Sequence, residues 1–328
     1  MKDVAKHSAS RILRVRCMGV RPVIFCLTVS ILLAWGPRSY GEAPRSLKAA
    51  ILVSRNIRPY LEAVEGLKAG LSESADADVK VIGIGELSAQ DRIDLSQRLS
   101  SEPLDLLVGV GPEAGLMVFK EVSDTRATKL YLMVLNPDEV FGSKKEFCGV
   151  SLNIPVHIQV KMIQRGLPSL RRPGLLYDPK LNSDFFDRAA AAASRSDLRI
   201  IPLKISSKKD IPSVLRREWA AVDSLWLIPD RTAISESIVR HVTKEAFLRK
   251  VPVIGYNRFF YDTGAAVAFV FDYEELGREC AREALRAVAG EMCRNAAPLF
   301  DVWINPLVAE KLGLKLPEEY APPIRLGP

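Results

Sequence analysis

Short, mainly apolar runs alternate with amphipathic segments after residue 41, and this alternation most limits how the chain can fold. Examples are Ala49–Val53, Val79–Ile84 and Leu104–Val110, each followed by a segment with helical spacing of apolar residues. Continuous apolar runs indicate strands buried on both faces, and intervening helices favour parallel pairing. The pattern therefore predicts α/β units built on parallel sheets.

The alternation restarts after about residue 150, which predicts two successive doubly wound units, hence two α/β lobes. Further predicted strands are Leu130–Leu135, Gly174–Tyr177, Leu198–Leu203, Ser224–Ile228, Val251–Gly255, Ala265–Phe271 and Val302–Asn305. Predicted helices are Pro59–Leu71, Asp91–Leu99, Glu113–Glu121, Pro155–Leu167, Asn182–Ala193, Ile211–Trp219, Ile234–Arg249 and Glu274–Ala289.

The first 41 residues are typical of an export signal. A basic front precedes the uncharged apolar run Pro22–Trp35, and Ser39-Tyr40-Gly41 supplies small residues for cleavage. An uncleaved anchor is the alternative. This leader holds seven Lys or Arg against one Asp, a balance of +6, so the whole-chain charge of +7 leaves +1 for the rest. The rest also lacks a cluster of basic and aromatic residues, which argues against nucleic-acid binding.

Three cysteines follow the leader: Cys148, Cys280 and Cys293. Their odd number and wide spacing fit neither a disulfide framework nor a metal site. Buried free thiols are the favoured interpretation, and a Cys280–Cys293 bridge in an oxidising compartment is the alternative.

Polar residues cluster directly after the predicted strands, where open parallel sheets bind ligands. This set suits a small polar or zwitterionic molecule with an apolar part, although such residues are also common in loops. The positions are Ser54-Arg55-Asn56, Gly111-Pro112-Glu113, Asn136-Pro137-Asp138, Tyr177-Asp178, Pro229-Asp230-Arg231-Thr232 and Tyr256-Asn257-Arg258.

Several short signatures occur in a characteristic order, and together they resemble the extracytoplasmic substrate-binding proteins of ABC transporters, in the group related to tryptophan and tyrosine uptake. The signatures are Gly149-Val150-Ser151, Tyr177-Asp178-Pro179 with Asn182-Ser183, Pro229-Asp230, Val251 to Gly255, Asp272 to Gly277, and Ile304-Asn305 with Lys311 to Leu314.

The resemblance implies a type I periplasmic-binding-protein fold, with two lobes joined by a multi-strand hinge at Ser151 and Asp272. It places 42–150 plus about 272–298 in the first lobe, and 151–271 plus about 299–328 in the second. The implied protein is periplasmic and monomeric, binds an amino acid or related compound, and delivers it to a membrane permease. It implies no enzymatic activity, cofactor or metal.

The resemblance also suggests roles for individual loop residues. The turn Gly111-Pro112-Glu113 corresponds to one whose backbone N–H groups face a ligand carboxylate, but Glu113 adds negative charge there unless it only caps the helix. Asp230 could hold a ligand ammonium and Arg231 a carboxylate, or the two could pair at the surface. Tyr177 and Asn182 correspond to a ligand-binding turn, and Asp272 to a hinge or capping residue.

Two other classes of function compete with solute binding. The stretch Gly109 to Ala114 fits G-x-G-x-x-A, a dinucleotide-binding pattern, but it is not the first strand–helix turn and Pro112 removes one N–H. His157 and His241 have no nucleophile elbow nearby, which disfavours nucleophilic catalysis. An exported enzyme with a two-lobed α/β fold, such as a group transferase, is one alternative. A periplasmic sensor with the same two lobes is the other alternative.

Overall fold

The computed structural model describes residues 46–123, 125–142, 147–295 and 297–328. The predicted signal peptide, with its expected cleavage near Gly41, lies outside these residues. Within them, no helix is both long and apolar enough to cross a membrane.

The first sheet contains five parallel strands in the order β2-β1-β3-β4-β5. The strands are β1 Leu47–Val53, β2 Ala77–Gly83, β3 Leu106–Val110, β4 Thr128–Val134 and β5 Gly149–Ser151. The helices between them are α1 Arg58–Ser74, α2 Ala89–Ser101, α3 Pro112–Leu116, which continues as a π-helical turn over Met117–Glu121, and α4 Pro137–Phe141.

The second sheet follows the order β12-β11-β10-β9-β8-β6-β7. Its strands are β6 Pro173–Tyr177, β7 Ile201–Lys204, β8 Ser224–Leu227, β9 Val253–Gly255, β10 Val267–Val270, β11 Asp301–Ile304 and β12 Ile324–Leu326. The remaining helices are α5 Val156–Gly166, α6 Pro179–Ala193, α7 Ile211–Glu218, α8 Glu236–Leu248, α9 Arg258–Asp262, α10 Tyr273–Val288 and α11 Pro306–Leu312.

The predicted architecture of two parallel-sheet lobes is confirmed, with differences at its margins. Strand β11 runs antiparallel to β10, because the chain returns to the second sheet after α10 from the opposite direction. The predicted strand at 198–203 begins only at Ile201, since Leu198 lies in a turn where its N–H donates to Ser196 Oγ at 3.4 Å. Sequence patterns missed the short elements β5, β12, α4, α9 and α11.

Helix α10 lies between β10 and β11 in the chain. It packs against the first sheet, although both of these strands belong to the second. Helix α10 contacts α1, β4 and β5, and its buried face includes Leu276, Cys280 and Ala284. The chain thus passes between the two sheets at 151–156, again at 270–273, and a third time between α10 and β11.

Helices α1 and α10 approach closely because small residues line their contact. A Cβ added at Gly66 would overlap the Glu274 carbonyl oxygen, and one added at Gly277 would overlap that of Ala63. At Gly70 the added atom would lie 2.7 Å from the Ala281 Cβ. Any larger side chain at these positions would push the helices apart.

A disulfide joins Cys148, just before β5, to Cys293, which follows α10, with 6.1 Å between their Cα atoms. The expectation of buried free thiols is therefore wrong for Cys148 and Cys293 and correct for Cys280, and the alternative Cys280–Cys293 bridge is wrong. The bridging partners are 145 residues apart, and their spacing gave no sign of the pairing. Cys280 is the free thiol within the described residues, and burial raises its pKa to about 12.

The segment that carries Cys293 is fixed to the first sheet by neighbouring hydrogen bonds as well. The Arg294 N–H donates to the buried Glu283 carboxylate at 3.1 Å. Tyr131 Oη, on β4, donates to Asn295 Oδ1 at 3.1 Å. The start of the third crossing is thus held by a covalent bond and two polar contacts.

We expect Gly277→Ala to destabilise the protein by about 1–3 kcal/mol, since overpacking a close contact costs that much. Gly83→Ala is the matched control, because Gly83 has no positive φ and an added Cβ there meets nothing within 4 Å. Urea unfolding monitored by circular dichroism measures both. Equal midpoints for the two variants would contradict the close packing of α1 on α10.

Alkylation of the unfolded, unreduced protein followed by peptide mapping should label Cys280 and leave Cys148 and Cys293 in one cross-linked peptide. The physical reason is that bridged sulfurs cannot react with an alkylating agent. The reduced protein, in which Cys148 and Cys293 are labelled as well, is the control. Recovery of a Cys280–Cys293 peptide, or of labelled Cys148 and Cys293 without reduction, would refute the bridge.

Candidate functional site

A cavity of about 310 Å³ lies where the two sheets face each other, and we call it the interlobe cavity. Both sheets and two of the three crossings contribute to it, as expected for the carboxyl ends of parallel strands. Its lining residues are Leu135, Asn136, Leu152, Asn153, Ile154, Pro155, Val156, Gln159, Asn182, Phe185, Arg188, Ile228, Pro229, Tyr256 and Phe271.

The end of β4 and the first crossing form one wall of the interlobe cavity. Asn136 has a left-handed backbone, with φ of 48°, and its N–H donates to Asn153 Oδ1 at 2.9 Å. The Asn153 N–H in turn donates to Ser151 Oγ at 3.2 Å. Ser151, a predicted hinge residue, therefore fixes the loop that presents Asn153.

Asp230 organises the opposite wall from a buried position, with 1% of its surface exposed. Its Oδ2 accepts from the Asp178 N–H at 2.7 Å and from Asn182 Nδ2 at 2.8 Å. Its Oδ1 accepts from the N–H groups of Thr232 at 2.8 Å and Ala233 at 2.9 Å. The carboxylate thus joins the loops after β6 and β8, instead of facing a ligand ammonium as the sequence suggested.

Two other predicted ligand residues in the second lobe do not line this cavity. Tyr177 is 2% exposed and stacks on Phe186 with ring centroids 5.2 Å apart, so it belongs to the core. Arg231 is exposed and forms no pair with Asp230, whose oxygens are already engaged. The predicted surface pair between Asp230 and Arg231 is therefore wrong.

Helix α6 supplies cavity residues that sequence reasoning missed. Phe185 lines the cavity and packs edge-on against Trp226 at 5.5 Å between centroids, and Arg188 lies one turn further along the helix. Helical spacing could have predicted both residues, because they lie three and six positions after Asn182, which was already a candidate. Residues three apart on a helix share a face. From α5, Gln159 is held by donation of its Nε2 to the Ile154 carbonyl at 2.8 Å.

Tyrosines lie on both sides of the second crossing. Burial, with a smaller effect of Tyr273, raises the pKa of Tyr256 to about 12. Burial also raises the pKa of Tyr273 to about 12, with added repulsion from Glu62 and Tyr60. Both phenols therefore stay neutral at physiological pH, and Tyr256 remains a hydrogen-bond donor at the cavity.

A second, wider depression of about 660 Å³ lies beside the second crossing, and we call it the side groove. Two predicted residues line it, Asn257 and Asp272. Both are helix caps: Asn257 Oδ1 accepts from the Phe260 N–H at 3.3 Å and Asp272 Oδ1 from the Glu275 N–H at 3.0 Å. The capping interpretation of Asp272 is the one that the structure supports.

The turn after β3 presents a closed ion pair. Arg55 Nη2 donates to Glu113 Oε1 at 3.0 Å across the start of α3. Gly111 precedes Pro112 with φ of 87°, and a Cβ there would meet Ser54 Oγ at 2.6 Å. Backbone N–H groups of this turn are already used, since Gly111 donates to the Leu132 carbonyl and Ala114 donates to Ser54 Oγ, each at 2.9 Å.

Glu113 stays ionised in this environment. Burial acts to raise its pKa, but hydrogen bonds from its own N–H, from Arg55 and from Ser54 together lower the pKa below its ordinary value. Arg55 and Asn56 line a separate pocket of about 340 Å³ on the first lobe.

The structure thus brings four residues of the predicted loop positions together at the interlobe cavity: Asn136, Asn182, Pro229 and Tyr256. The described part of the chain contains no group of three or more His, Cys, Asp or Glu side chains placed to hold a metal ion.

A family model described as ABC transporter substrate binding protein matches residues 50–321. Comparison with curated proteins finds no match.

Solved structures of low sequence identity share the fold. A conserved domain protein from Vibrio cholerae is 20% identical, with 84% of this chain and 97% of that chain covered and a TM-score of 0.59. An ABC domain in complex with L-Trp from Streptococcus pneumonia is 20% identical, with 84% of this chain and 97% of that chain covered and a TM-score of 0.60. A ligand-free, open structure of a substrate binding protein with adhesive properties from Clostridium difficile is 18% identical. The match covers 85% of this chain and 99% of that chain, with a TM-score of 0.72.

Glu113→Gln should reduce the acid sensitivity of the protein. A carboxyl whose folded pKa is lowered contributes stability above its unfolded pKa, and that stability is lost as pH falls through the folded pKa. Urea midpoints at neutral and acidic pH measure the loss, with the exposed Glu86→Gln as control. If the urea midpoint falls by as much between neutral and acidic pH in Glu113→Gln as in the unaltered protein, that result would argue against the Arg55–Glu113 pair.

Proposed function

This chain belongs to the family of ABC transporter substrate-binding proteins, and from that premise we propose that it is an extracytoplasmic solute-binding protein holding a small organic ligand in the interlobe cavity. The observation that carries this proposal is the cavity's lining, which combines Asn136 of the first lobe, Asn182 and Tyr256 of the second, and Phe271 of a crossing. A ligand there touches both lobes at once.

Ligand contacts on both lobes give a mechanism for capture. A ligand shifts a conformational equilibrium only by its difference in affinity for the two states. Contacts with two lobes are complete only when the lobes approach, so the ligand stabilises a closed form. We place the bending at the crossings, near Ser151 and Asp272, between lobes formed by 42–150 with about 272–298 and by 151–271 with about 299–328.

The proposed partner is a membrane permease of the same transport system, which would accept the solute from the closed form. The proposed site of action is the periplasm, after removal of residues 1–41. The ligand class we favour is an amino acid or a related compound, preferably aromatic. Support comes from the rings of Phe185, Tyr256 and Phe271 in the cavity, and from the L-Trp complex among the structural neighbours.

Native mass spectrometry of the purified protein, followed by thermal-shift screening against amino acids, organic acids and sugars, tests the proposal. We expect a bound or stabilising solute whose affinity falls about tenfold or more in Phe185→Ala, which removes about 1.4 kcal/mol or more of binding free energy. Leu181→Ala is the control, because Leu181 lies on the same helix, is exposed and does not line the cavity.

Two results would contradict solute binding in this cavity. One is the absence of any bound or stabilising solute across the screen. The other is a solute that binds Phe185→Ala and Leu181→Ala as tightly as the unaltered protein, which would place its site elsewhere.

A further inference from the structure

We propose that the interlobe cavity selects a small organic carboxylate that carries no ammonium group. This inference rests on the proposed function for the location of the ligand. Within the proposed class of amino acids and related compounds, it excludes the amino acids themselves and keeps the related acids without an ammonium group, because of the charges that surround that location.

The lining of the cavity has one charged side chain among its described residues, Arg188. The other polar side chains are four carboxamides and one neutral phenol; these are Asn136, Asn153, Gln159, Asn182 and Tyr256. A ligand that enters this cavity therefore meets positive charge and neutral dipoles, and no carboxylate that could pair with a cation.

Arg188 is available to an anion. Its side chain is exposed at the cavity, and its Nε donates only to the Asp184 carbonyl of the same helix, at 3.3 Å. Across the described residues, no ion pair involves Arg188, in contrast to Arg55, which is paired with Glu113. A guanidinium presents a planar set of donors that matches a carboxylate and can bind it through two parallel hydrogen bonds.

Two buried acidic residues in the loops behind the lining, Asp178 and Asp230, are already used by the protein. Asp230 accepts four hydrogen bonds from its own loops, two on each oxygen. Asp178 accepts from the Lys180 N–H at 2.9 Å and from Thr232 Oγ1 at 2.8 Å. Neither can turn toward the cavity without leaving buried N–H groups unpaired, which is costly.

An amino acid would therefore bind at a disadvantage. Its carboxylate could reach Arg188, but its ammonium would lose water and meet neutral acceptors such as Asn182 Oδ1, with no carboxylate in the lining to pair with it. Removing a charge from water is unfavourable unless an opposite charge compensates for it. The same molecule without the ammonium keeps the favourable contact and avoids this cost.

The rest of the cavity suits an apolar body. Phe185, Phe271 and Ile228 line it together with Leu135, Leu152 and Val156. Burial of apolar ligand surface against such side chains is favourable at roughly 25 cal/mol per Å². The occupant we infer is thus a monocarboxylate with one charged end and a hydrocarbon body.

Isothermal titration calorimetry with two matched sets of probes tests this inference on the whole protein, freed of bound solute by unfolding and refolding. The aromatic set is 3-phenylpropanoate, L-phenylalanine and 2-phenylethylamine. The aliphatic set is 4-methylpentanoate, L-leucine and 3-methylbutylamine. In at least one set we expect the acid to bind about tenfold or more tightly than the amino acid, and the amine not to bind.

Arg188→Gln should weaken binding of the acid about tenfold or more, because a charge-assisted hydrogen bond is lost. Arg195→Gln is the matched control, since it removes an equal charge just beyond the same helix, at a residue that does not line the cavity. Binding in the control should match that of the unaltered protein.

Three outcomes overturn the inference while leaving solute binding intact. They are an amino acid that binds as tightly as its acid, a bound amine, and an acid whose affinity is unchanged in Arg188→Gln. If no probe binds but another solute co-purifies, a solute that lacks a carboxylate or carries an ammonium also overturns it. The absence of any solute contradicts the proposed function itself, and this inference falls with it.

Discussion

The contact between α1 and α10 is the interaction on which the rest of the structure depends. The chain leaves the first sheet after β5, builds five strands of the second, and returns as α10 to pack on α1. Gly66 and Gly277 allow this because a Cβ at either position would overlap a carbonyl oxygen of the other helix. Close backbone approach of this kind is a role that only glycine fills.

This return has a direct consequence for the hinge. Since α10 is anchored to the first sheet and β11 belongs to the second, the chain crosses between sheets on either side of α10. The bridge from Cys148 to Cys293 fastens the start of the last crossing to the edge of the first sheet. In the proposed mechanism, the bending is placed at the first two crossings, 151–156 and 270–273, which contribute residues to the interlobe cavity.

The sequence was sufficient for the architecture because strands buried on both faces must be apolar throughout, as in β3 and β10. The sequence was not sufficient to predict in which direction each strand runs. The pattern of apolar residues in β11 would be the same in a parallel strand, although β11 pairs with β10 antiparallel. Nor could the sequence pair Cys148 with Cys293, because contacts between residues so far apart depend on how the sheets are placed.

The candidate site was predicted less completely, for a physical reason that Tyr177 and Tyr256 illustrate. Both come at the end of a strand, but Tyr177 is the last residue of β6 and points into the core, whereas Tyr256 follows β9 and reaches the cavity. Side chains alternate along a strand, so an error of one residue reverses the expected direction. Phe185 and Arg188 were missed because they lie inside a helix.

The four hydrogen bonds accepted by Asp230 mean that one half of the cavity is assembled before any ligand arrives. The loops after β6 and β8 are held by the protein's own groups, so their ordering entropy is lost during folding and not during association. Preorganisation of this kind favours affinity without adding a contact. In the proposed mechanism, capture then requires that the opposite half approach a surface that is already shaped.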